Sequence, residues 1–337
     1  MVPKSSKGYL APNAYGLQNH VCVIPCGGLL GDMPTYWNKN QLDPYAHYIV
    51  NGKQTDTLFN GFVFNGIRVR DTHFIHPLFV GFGEPSDITD WIMWADGLFL
   101  PNLNLQALAA VAGKSKRDVW VSIPYPHPMQ NKFGVVGSRM LDFQKEEDRL
   151  AAVVWWMDLF LQRWRNNRHL HSQLQLRGFL WQREAADAND IPLIGKVNQH
   201  IHQLGYRAMW LPNYGSYGVT EWRDLGFDVT AINTNYTGNT SYDYKWIQNA
   251  ALFAATYHNG LQILWGKGLI YSNRHQLDYW NLGLPRYCDY MQKSFLVYSF
   301  PNQRLDQLRR TQVSDYIKLY TFVKGVYQKT VYPQIPY

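Results

Sequence analysis

The residue of this chain best placed to do chemistry is Glu184. It follows the apolar run Arg177 to Trp181, separated from it by Gln182 and Arg183. Proteins that cleave glycosidic bonds commonly use paired carboxylates, one of which protonates the leaving oxygen. An acid beside a tryptophan at the end of a strand suits that role, so we predict Glu184 as a general acid. A rim glutamate paired with Arg183 is the structural alternative.

A second carboxylate is harder to identify. Strand seven, where retaining barrel glycosidases often carry the nucleophile, offers Gln262 and Leu264 in place of an acid. We predict Glu221 and Asp243 as partners, because their loops follow strands close to the one before Glu184. A base carried by a loop suits an inverting site, whose carboxylates stand about 6.5–9.5 Å apart with room for water. Each acid also fits a helix cap or a surface charge, as do Asp71, Glu84 and Asp142.

Aromatic and amide side chains at other predicted strand ends are suited to binding a sugar. Flat rings stack on the apolar C–H faces of sugars, and amide or phenol groups bond to hydroxyls. A tryptophan at such a position suits the core equally well, and an asparagine is often only a turn former. The predicted substrate-binding residues are Tyr125, His127, Trp181, Trp210, Asn213, Tyr214, Asn235, Tyr236, Gln262 and Trp265.

Eight apolar runs, with turns and helix-patterned stretches between them, must position these side chains. This β–α alternation predicts a closed (β/α)8 TIM barrel, which places chemistry at the carboxyl ends of its strands. Helices are predicted over 145–166, 190–205, 242–258 and 303–323. The predicted strands are 21–26, 58–69, 118–123, 177–181, 206–211, 228–233, 261–265 and 295–298.

The chain is predicted to form a single α/β domain with long strand-end loops. Its 337 residues suit one barrel, and 46% of them are hydrophobic, enough for a large core. We expect residues 1–20 to be an N-terminal extension, 21–325 the barrel and 326–337 a C-terminal tail. The longest loop, 70–86, has an apolar content that favours an ordered rim loop over a disordered one.

Composition and charge exclude several classes of function. No apolar run reaches the roughly 18–20 residues of a membrane span, and residues 1–20 lack the apolar core of a signal peptide. The net charge of +7 is spread along the chain, and its densest cluster, at 163–169, closes a predicted helix whose dipole it complements. We therefore expect no membrane span and no nucleic-acid partner. Aromatic residues, at 15%, favour a carbohydrate over a phosphate ligand.

No cofactor and no metal site is predicted. The three cysteines are predicted to be buried thiols. His200 and His202 are two residues apart on a predicted helix, so the two histidines do not share a face. The glycines after strand one lack the Lys-Ser/Thr of a phosphate loop, and no serine occupies a Gly-x-Ser-x-Gly elbow.

Several stretches together resemble a bacterial domain-of-unknown-function family, family 4855, which looks like a glycosidase-type TIM barrel. The agreement in spacing extends over roughly residues 58–310. It includes Pro124-Tyr125-Pro126 with Pro128, Phe133-Gly134, Leu141-Asp142-Phe143, Gly178-Phe179-Leu180-Trp181 with Glu184, Trp210-Leu211-Pro212 with Tyr214, Leu225-Gly226-Phe227-Asp228, and Asn235-Tyr236.

The resemblance implies a barrel with a sugar-related role, Glu184 as the strand-four acid, and an extracellular or cell-surface location. It also implies an acidic run on strand seven, of the kind Gly-x-Glu-x-Glu. Here Gln262 and Leu264 stand where those acids are expected. If that run supplies the catalytic partner, this chain lacks it.

Three hypotheses follow. The first is a glycoside hydrolase, or a glycosidase-like protein, that acts on a polysaccharide or glycan with Glu184 as general acid. The second is a non-catalytic carbohydrate-binding barrel that has lost the strand-seven carboxylates. The third is a structural module of a larger cell-surface or phage assembly, without a deep cleft. The fold alone does not decide among them.

Overall fold

The barrel forms as the apolar runs predict. A computed structural model describes residues 7–28, 33–70, 72–77, 83–113, 115–236, 243–266, 275–301 and 303–329. Its barrel strands, all parallel, are β1 Val21–Cys26, β2 Gly61–Gly66, β3 Arg117–Ile123, β4 Leu174–Trp181, β5 Arg207–Trp210, β6 Val229–Asn233, β7 Gly260–Leu264 and β8 Leu296–Ser299. Each pairs with its neighbours in sequence, and β8 pairs with β1 to close the ring. This is the predicted (β/α)8 fold in one domain.

Helices surround the barrel. In chain order they are α1 Lys39–Ala46, α2 Ile88–Gly97, α3 Asn104–Val111, α4 Glu146–Asn166, α5 Ile191–Gln203, α6 Lys245–Thr256, α7 His275–Leu282, α8 Tyr290–Lys293, α9 Leu305–Thr311 and α10 Val313–Val323. The stretch 303–323, predicted as one helix, is two helices separated by Gln312, whose backbone is not helical. None of the helices described is long and apolar enough to span a bilayer.

Several loops contain short strands. An antiparallel hairpin of His47–Val50 and Lys53–Thr57 precedes β2, and a second one, Gly134–Val136 with Arg139–Leu141, follows β3. Three further short strands, Arg68–Arg70, His73–Phe74 and Glu84–Pro85, pair in the long loop after β2. That loop was predicted over 70–86, and residues 68–69 were predicted as the end of strand 58–69, which the structure instead ends at Gly66. The other short strands and both hairpins were not predicted, because none of them carries a long apolar run.

Side chains alternate between the inside and the outside of the barrel, as strand geometry requires. Seven of the eight strands contribute to a central cluster at the barrel axis, formed by Val21, Val23, Val63, Trp120, Leu180, Met209, Val229, Ala231 and Val297. Their sequence neighbours, such as Phe179 and Trp181 on β4, belong to the larger core between barrel and helices. The parity of a residue, that is, whether its position along the strand is odd or even, therefore decides whether its side chain faces the barrel axis or the helices.

The amino-terminal segment closes the lower end of the barrel. Leu10 and Leu17 pack with the central cluster. The backbone of Leu10 accepts a hydrogen bond from Phe295 N at 2.7 Å and donates one to Asn259 O at 3.0 Å. The described part of the 1–20 segment thus contacts the barrel directly.

The bulge in β4 depends on a glycine. The register of β4 on β3 shifts between Leu176 and Gly178, and the intervening Arg177 turns to donate to Asp118 Oδ1 at 2.8 Å. A Cβ atom on Gly178 would lie 1.8 Å from the carbonyl oxygen of Arg207 on β5. Only glycine allows β5 to approach β4 so closely at the strand that leads to Glu184.

Replacing Gly178 with alanine should therefore destabilise the fold, by about 1–3 kcal/mol or more, because backbone must move to admit the methyl group. The matched control is Gly195→Ala on the exposed face of α5, where nothing lies within 4 Å of the new Cβ. That change should stabilise by about 0.5–1 kcal/mol, since alanine favours helix. Urea unfolding of both variants measures the difference, and equal free energies of unfolding would contradict it.

Candidate functional site

A cavity of about 170 Å³ opens at the carboxyl ends of the strands, which we call the mouth cavity. Its walls come largely from the layer of inward-facing residues above the central one. The residues that line it are Val23, Pro25, Asn65, Ile67, His76, Leu180, Gln182, Glu184, Leu211, Asn233, Gln262, Leu264, Ser299, Phe300 and Pro301. Two of the predicted site residues, Glu184 and Gln262, are among them.

Glu184 lies on the inward-facing side because it is two residues beyond Gln182 and four beyond Leu180. Asn213, at the end of β5, donates from Nδ2 to Glu184 Oε2 at 2.8 Å. The backbone carbonyl of Glu184 accepts from Asn213 N at 3.0 Å and from Ser216 Oγ at 2.9 Å. The loop after β5 thus fixes both the backbone and the carboxylate of Glu184. The Glu184–Asn213 pair joins two predicted site residues.

Gln182 ties three strands together beneath Glu184. Its Nε2 lies 2.9 Å from Asn65 Oδ1, 2.6 Å from the Gly66 carbonyl oxygen and 3.0 Å from Ser122 Oγ. These groups belong to β2 and β3. The side chain is 5% exposed, and its Oε1 has no hydrogen-bond donor in the described part of the chain. A buried acceptor without a donor costs free energy unless a ligand or water supplies the donor.

The ends of β5 and β6 are also joined at the cavity wall. Asn233 N donates to Pro212 O at 2.7 Å, and Tyr214 N donates to Asn233 O at 2.8 Å. The side chain of Asn233 accepts from Asn235 N at 2.9 Å, where Asn235 has a positive φ of 56°. Asn233 lines the cavity, and Asn235 supports it through the backbone.

His76 is the one imidazole among the described residues that line the mouth cavity. It is buried, and burial lowers its pKa to about 3. The ring is therefore neutral near pH 7, so it can exchange hydrogen bonds with a ligand but is too weak a base to take up a proton there.

A buried ionic cluster lies beside the segment that carries Glu184. Asp190 is fully buried and accepts from Arg149 Nη2 at 2.6 Å and from Arg183 Nη1 at 2.6 Å. The Tyr125 hydroxyl donates to Asp190 Oδ2 at 3.0 Å and accepts from Arg183 Nη1 at 2.9 Å. Burial raises the pKa of Tyr125, so it remains a neutral phenol. This cluster holds Arg183, which directly precedes Glu184.

Most of the predicted aromatic residues face away from the cavity. Trp181, Trp210, Trp265, Tyr125 and Tyr236 are all buried in the core outside the barrel strands.

The polar groups of these aromatics bond to the scaffold or are buried. Trp210 Nε1 donates to Arg183 O at 2.6 Å, and Tyr236 donates to Asp278 Oδ2 at 2.6 Å. Within the described residues, the Nε1 atoms of Trp181 and Trp265 are buried without an acceptor. None of these residues lines the mouth cavity.

The remaining predicted binding residues also lie outside the cavity lining. Tyr214 packs edge-on against Trp246 and Phe253, with ring centroids 5.5 and 5.4 Å apart. His127 is half-buried beside Tyr125, and its pKa is lowered by burial and by the nearby arginines.

The two predicted partner acids lie apart from Glu184. Glu221 is exposed in the turn after β5, where its carbonyl oxygen accepts from Asp224 N and Leu225 N. The Asp243 side chain is 61% exposed, and its Oδ1 accepts from Lys245 N at 2.9 Å, at the start of α6. Neither lines the mouth cavity. Asp71 lies outside the described residues.

Five polar residues of the cavity were not predicted: Asn65, His76, Gln182, Asn233 and Ser299. Four of them stand at or just beyond the end of a strand, on the inward parity. Counting in twos along each apolar run would have found these four. His76 lies in the loop after β2, where no such periodicity applies.

No group of three or more metal-ligating side chains occurs in the part of the chain described by the structure. Cys22, Cys26 and Cys288 are buried free thiols, and burial raises their pKa values.

Asp190 should be indispensable to the fold around the site. Asp190→Asn would leave the Arg149 guanidinium, whose side chain is 4% exposed, without its carboxylate. We expect a loss of about 3–5 kcal/mol in the free energy of unfolding. The control is Asp187→Asn, which removes the 38%-exposed carboxylate from its pair with Arg183 and should cost at most about 1 kcal/mol. Similar losses in chemical denaturation would show that the cluster is not held by its buried charge.

Stability should fall as the solution is acidified below about pH 6.5. His76 and His20 both have pKa values lowered by burial to about 3, whereas an unfolded histidine titrates near 6.5. The unfolded chain therefore binds more protons between these values, and each histidine removes about 1.4 kcal/mol of stability per pH unit over that window. His76→Gln should reduce this slope in urea unfolding at pH 7 and pH 5. His169→Gln, at an exposed position, should keep the wild-type slope. An unchanged slope in the His76 variant would disprove the assignment.

Comparisons with known proteins place the chain in a family. No curated protein matches it. Among solved structures, it is similar to a mutant tryptophan synthase α-subunit from Pyrococcus furiosus, at 9% identity and a TM-score of 0.42, over 91% of this chain and 97% of that one. It is also similar to the YdjI aldolase from Escherichia coli K12, at 10% identity and a TM-score of 0.36, over 91% and 86%. Residues 30–320 match the domain of unknown function DUF4855, and the chain belongs to that family.

Proposed function

We propose that the protein binds a carbohydrate, with one neutral sugar ring in the mouth cavity. The observation that carries this proposal is the character of the lining. It combines one carboxylate, Glu184, with amide, hydroxyl and neutral imidazole groups on a largely apolar wall. Such groups exchange hydrogen bonds with hydroxyls, whereas the apolar wall suits the C–H face of a sugar.

The size of the cavity agrees with a single ring. An engineered cavity of about 150 Å³ holds one benzene molecule, and the mouth cavity measures about 170 Å³. Leu180, Leu264 and Phe300 supply buried apolar surface on its walls. A longer glycan would place one ring here and extend outward over the rim.

Two acceptors at the site support a ligand rich in hydroxyl donors. Gln182 Oε1, in the cavity lining, and Asn213 Oδ1, beside Glu184 but outside that lining, are both buried and, in the described chain, receive no hydrogen bond. Asn213 Nδ2 is engaged by Glu184, which fixes its oxygen as the free acceptor. Sugar hydroxyls would supply the missing donors and remove the cost of leaving these oxygens unpaired.

Glycoside hydrolysis is the second candidate function, favoured by the position of Glu184 at the end of β4. In that mechanism Glu184 protonates the glycosidic oxygen while a carboxylate, or a water molecule that it activates, attacks the anomeric carbon. Glu184 is the one carboxylate among the described lining residues, and His76 is too weak a base to substitute for the second. The partner would have to come from elsewhere, and Asp32 and Asp71, which follow β1 and β2 in sequence, lie outside the described residues.

A glycan-array and polysaccharide screen tests the binding proposal. Wild-type protein should retain a neutral glycan, and Glu184→Gln should weaken that interaction about tenfold or more, because a charge-assisted hydrogen bond is lost. Glu221→Gln removes an exposed carboxylate of the same kind outside the cavity and should bind as wild type does. The proposal fails if no glycan binds, or if both variants weaken binding equally.

Reducing-end release in the same wells separates binding from hydrolysis. Release by wild type that disappears in Glu184→Gln, while the variant still binds, would establish a glycosidase. In that case Asp32→Asn and Asp71→Asn test whether either of them supplies the second carboxylate. Binding without release by wild type would establish a binding module.

A further inference from the structure

A second recess lies on the side of the barrel, between the hairpin after α1 and the pair α9–α10. We call it the arginine groove. Its volume is about 370 Å³, and it shares no residue with the mouth cavity. Its lining includes Tyr48, Val50, Arg309, Arg310, Val313 and Ile317.

The helical wall of the groove comes from two helices. Arg309 lies on α9, whereas Val313 and Ile317 lie four residues apart on α10 and share a face; all three line the groove. Val313 and Ile317 are 54% and 43% exposed, which leaves an apolar strip open to solvent beside the charge. The opposite wall is the hairpin, whose tight turn contains Asn51 and Gly52, both with positive φ.

The two arginines lack acidic partners in the part of the chain described. Neither forms an ion pair or a hydrogen bond there, and the Nε atom of Arg309 is buried without an acceptor. Three acids close to the groove in sequence or packing are engaged elsewhere: Asp306 with Arg304 at 2.7 Å, Asp315 with Lys318 at 3.1 Å, and Asp43 with His47 at 2.8 Å.

A cationic last turn is ordinarily explained by the helix dipole, which Arg309 and Arg310 complement at the end of α9. That explanation requires no more than solvated side chains. It does not account for a guanidinium nitrogen shielded from water with nothing to accept its hydrogen. Such a donor is open to an acceptor that the described chain does not supply, since a buried charged donor left unpaired is strongly unfavourable.

We propose that the arginine groove binds an anionic ligand, with a carboxylate or phosphate at Arg309 and Arg310 and a flat apolar body against Val313 and Tyr48. A guanidinium matches the oxygens of either anion with two parallel hydrogen bonds. The apolar strip adds contact area that a bare inorganic ion does not use. The volume of the groove exceeds that of a cavity that holds one benzene ring, about 150 Å³.

The test uses two probes, benzoate and inorganic phosphate, titrated into the full chain by calorimetry. Wild type should bind benzoate more tightly than phosphate. Arg309→Gln should weaken both by about tenfold or more, and Arg310→Gln, at the exposed position, by about threefold. Val313→Trp, which fills the groove from an exposed position, should abolish benzoate binding.

Arg168→Gln is the matched control, because it removes one exposed positive charge remote in sequence from the groove. It should bind both probes within about twofold of wild type. Thermal melts confirm that each variant is folded. The proposal is overturned if neither probe binds the folded wild type, or if Arg168→Gln weakens binding as much as Arg309→Gln. Tighter binding of phosphate, unaffected by Val313→Trp, would overturn the apolar half of the proposal.

Discussion

The strict alternation of side chains along the barrel strands governs the rest of this structure. Residues of one parity meet at the barrel axis, where Trp120, Leu180 and Met209 fill the centre and the next layer opens as a cavity. Residues of the other parity pack beneath the helices. A shift of one residue in β4 would exchange Gln182 and Glu184 with Trp181 and Arg183. The bulge before Gly178 and the close approach of Arg207 fix that register, so the position of the carboxylate is determined six residues earlier, about 20 Å of chain at roughly 3.3 Å per residue.

Polar groups at the mouth hold one another in place by spanning adjacent strands. Gln182 links β4 to β2 and β3, Asn213 links the loop after β5 to Glu184, and Asn233 links β6 to β5. The result is a rigid arc of amides around about two-thirds of the rim, from β2 to β6. Outside this arc, Asp190 accepts hydrogen bonds from Arg149, Arg183 and Tyr125. These bonds fix the turn that follows β4. A ligand therefore meets groups whose orientation is already set, which reduces the entropy lost on binding.

The apolar periodicity of the sequence was enough to predict all eight strands and the closed barrel, because buried parallel strands are marked by continuous apolar runs. It also put Glu184 at the carboxyl end of β4, where the residue lines the mouth cavity, while its role as a general acid stays a prediction. The aromatic residues were a different case. Trp181, Trp210 and Trp265 are at strand ends too, but composition does not distinguish an indole that faces a sugar from one that faces a helix. Parity does distinguish them, and from the predicted set it selects Glu184 and Gln262, the two that line the mouth cavity. His76 was beyond prediction, since a loop fixes it through tertiary contacts alone.

The closed lower end of the barrel has a kinetic consequence. Leu10 and Leu17 seal the side opposite the mouth, and Trp120 and Met209 above them are fully buried. The mouth cavity is thus closed at its lower end by packed side chains. Among the described residues, the barrel leaves the cavity open at the strand ends, so a ligand enters and leaves on that side. The rate at which a bound ligand, and the water it displaces, exchange with solvent then depends on passage across the rim of the cavity.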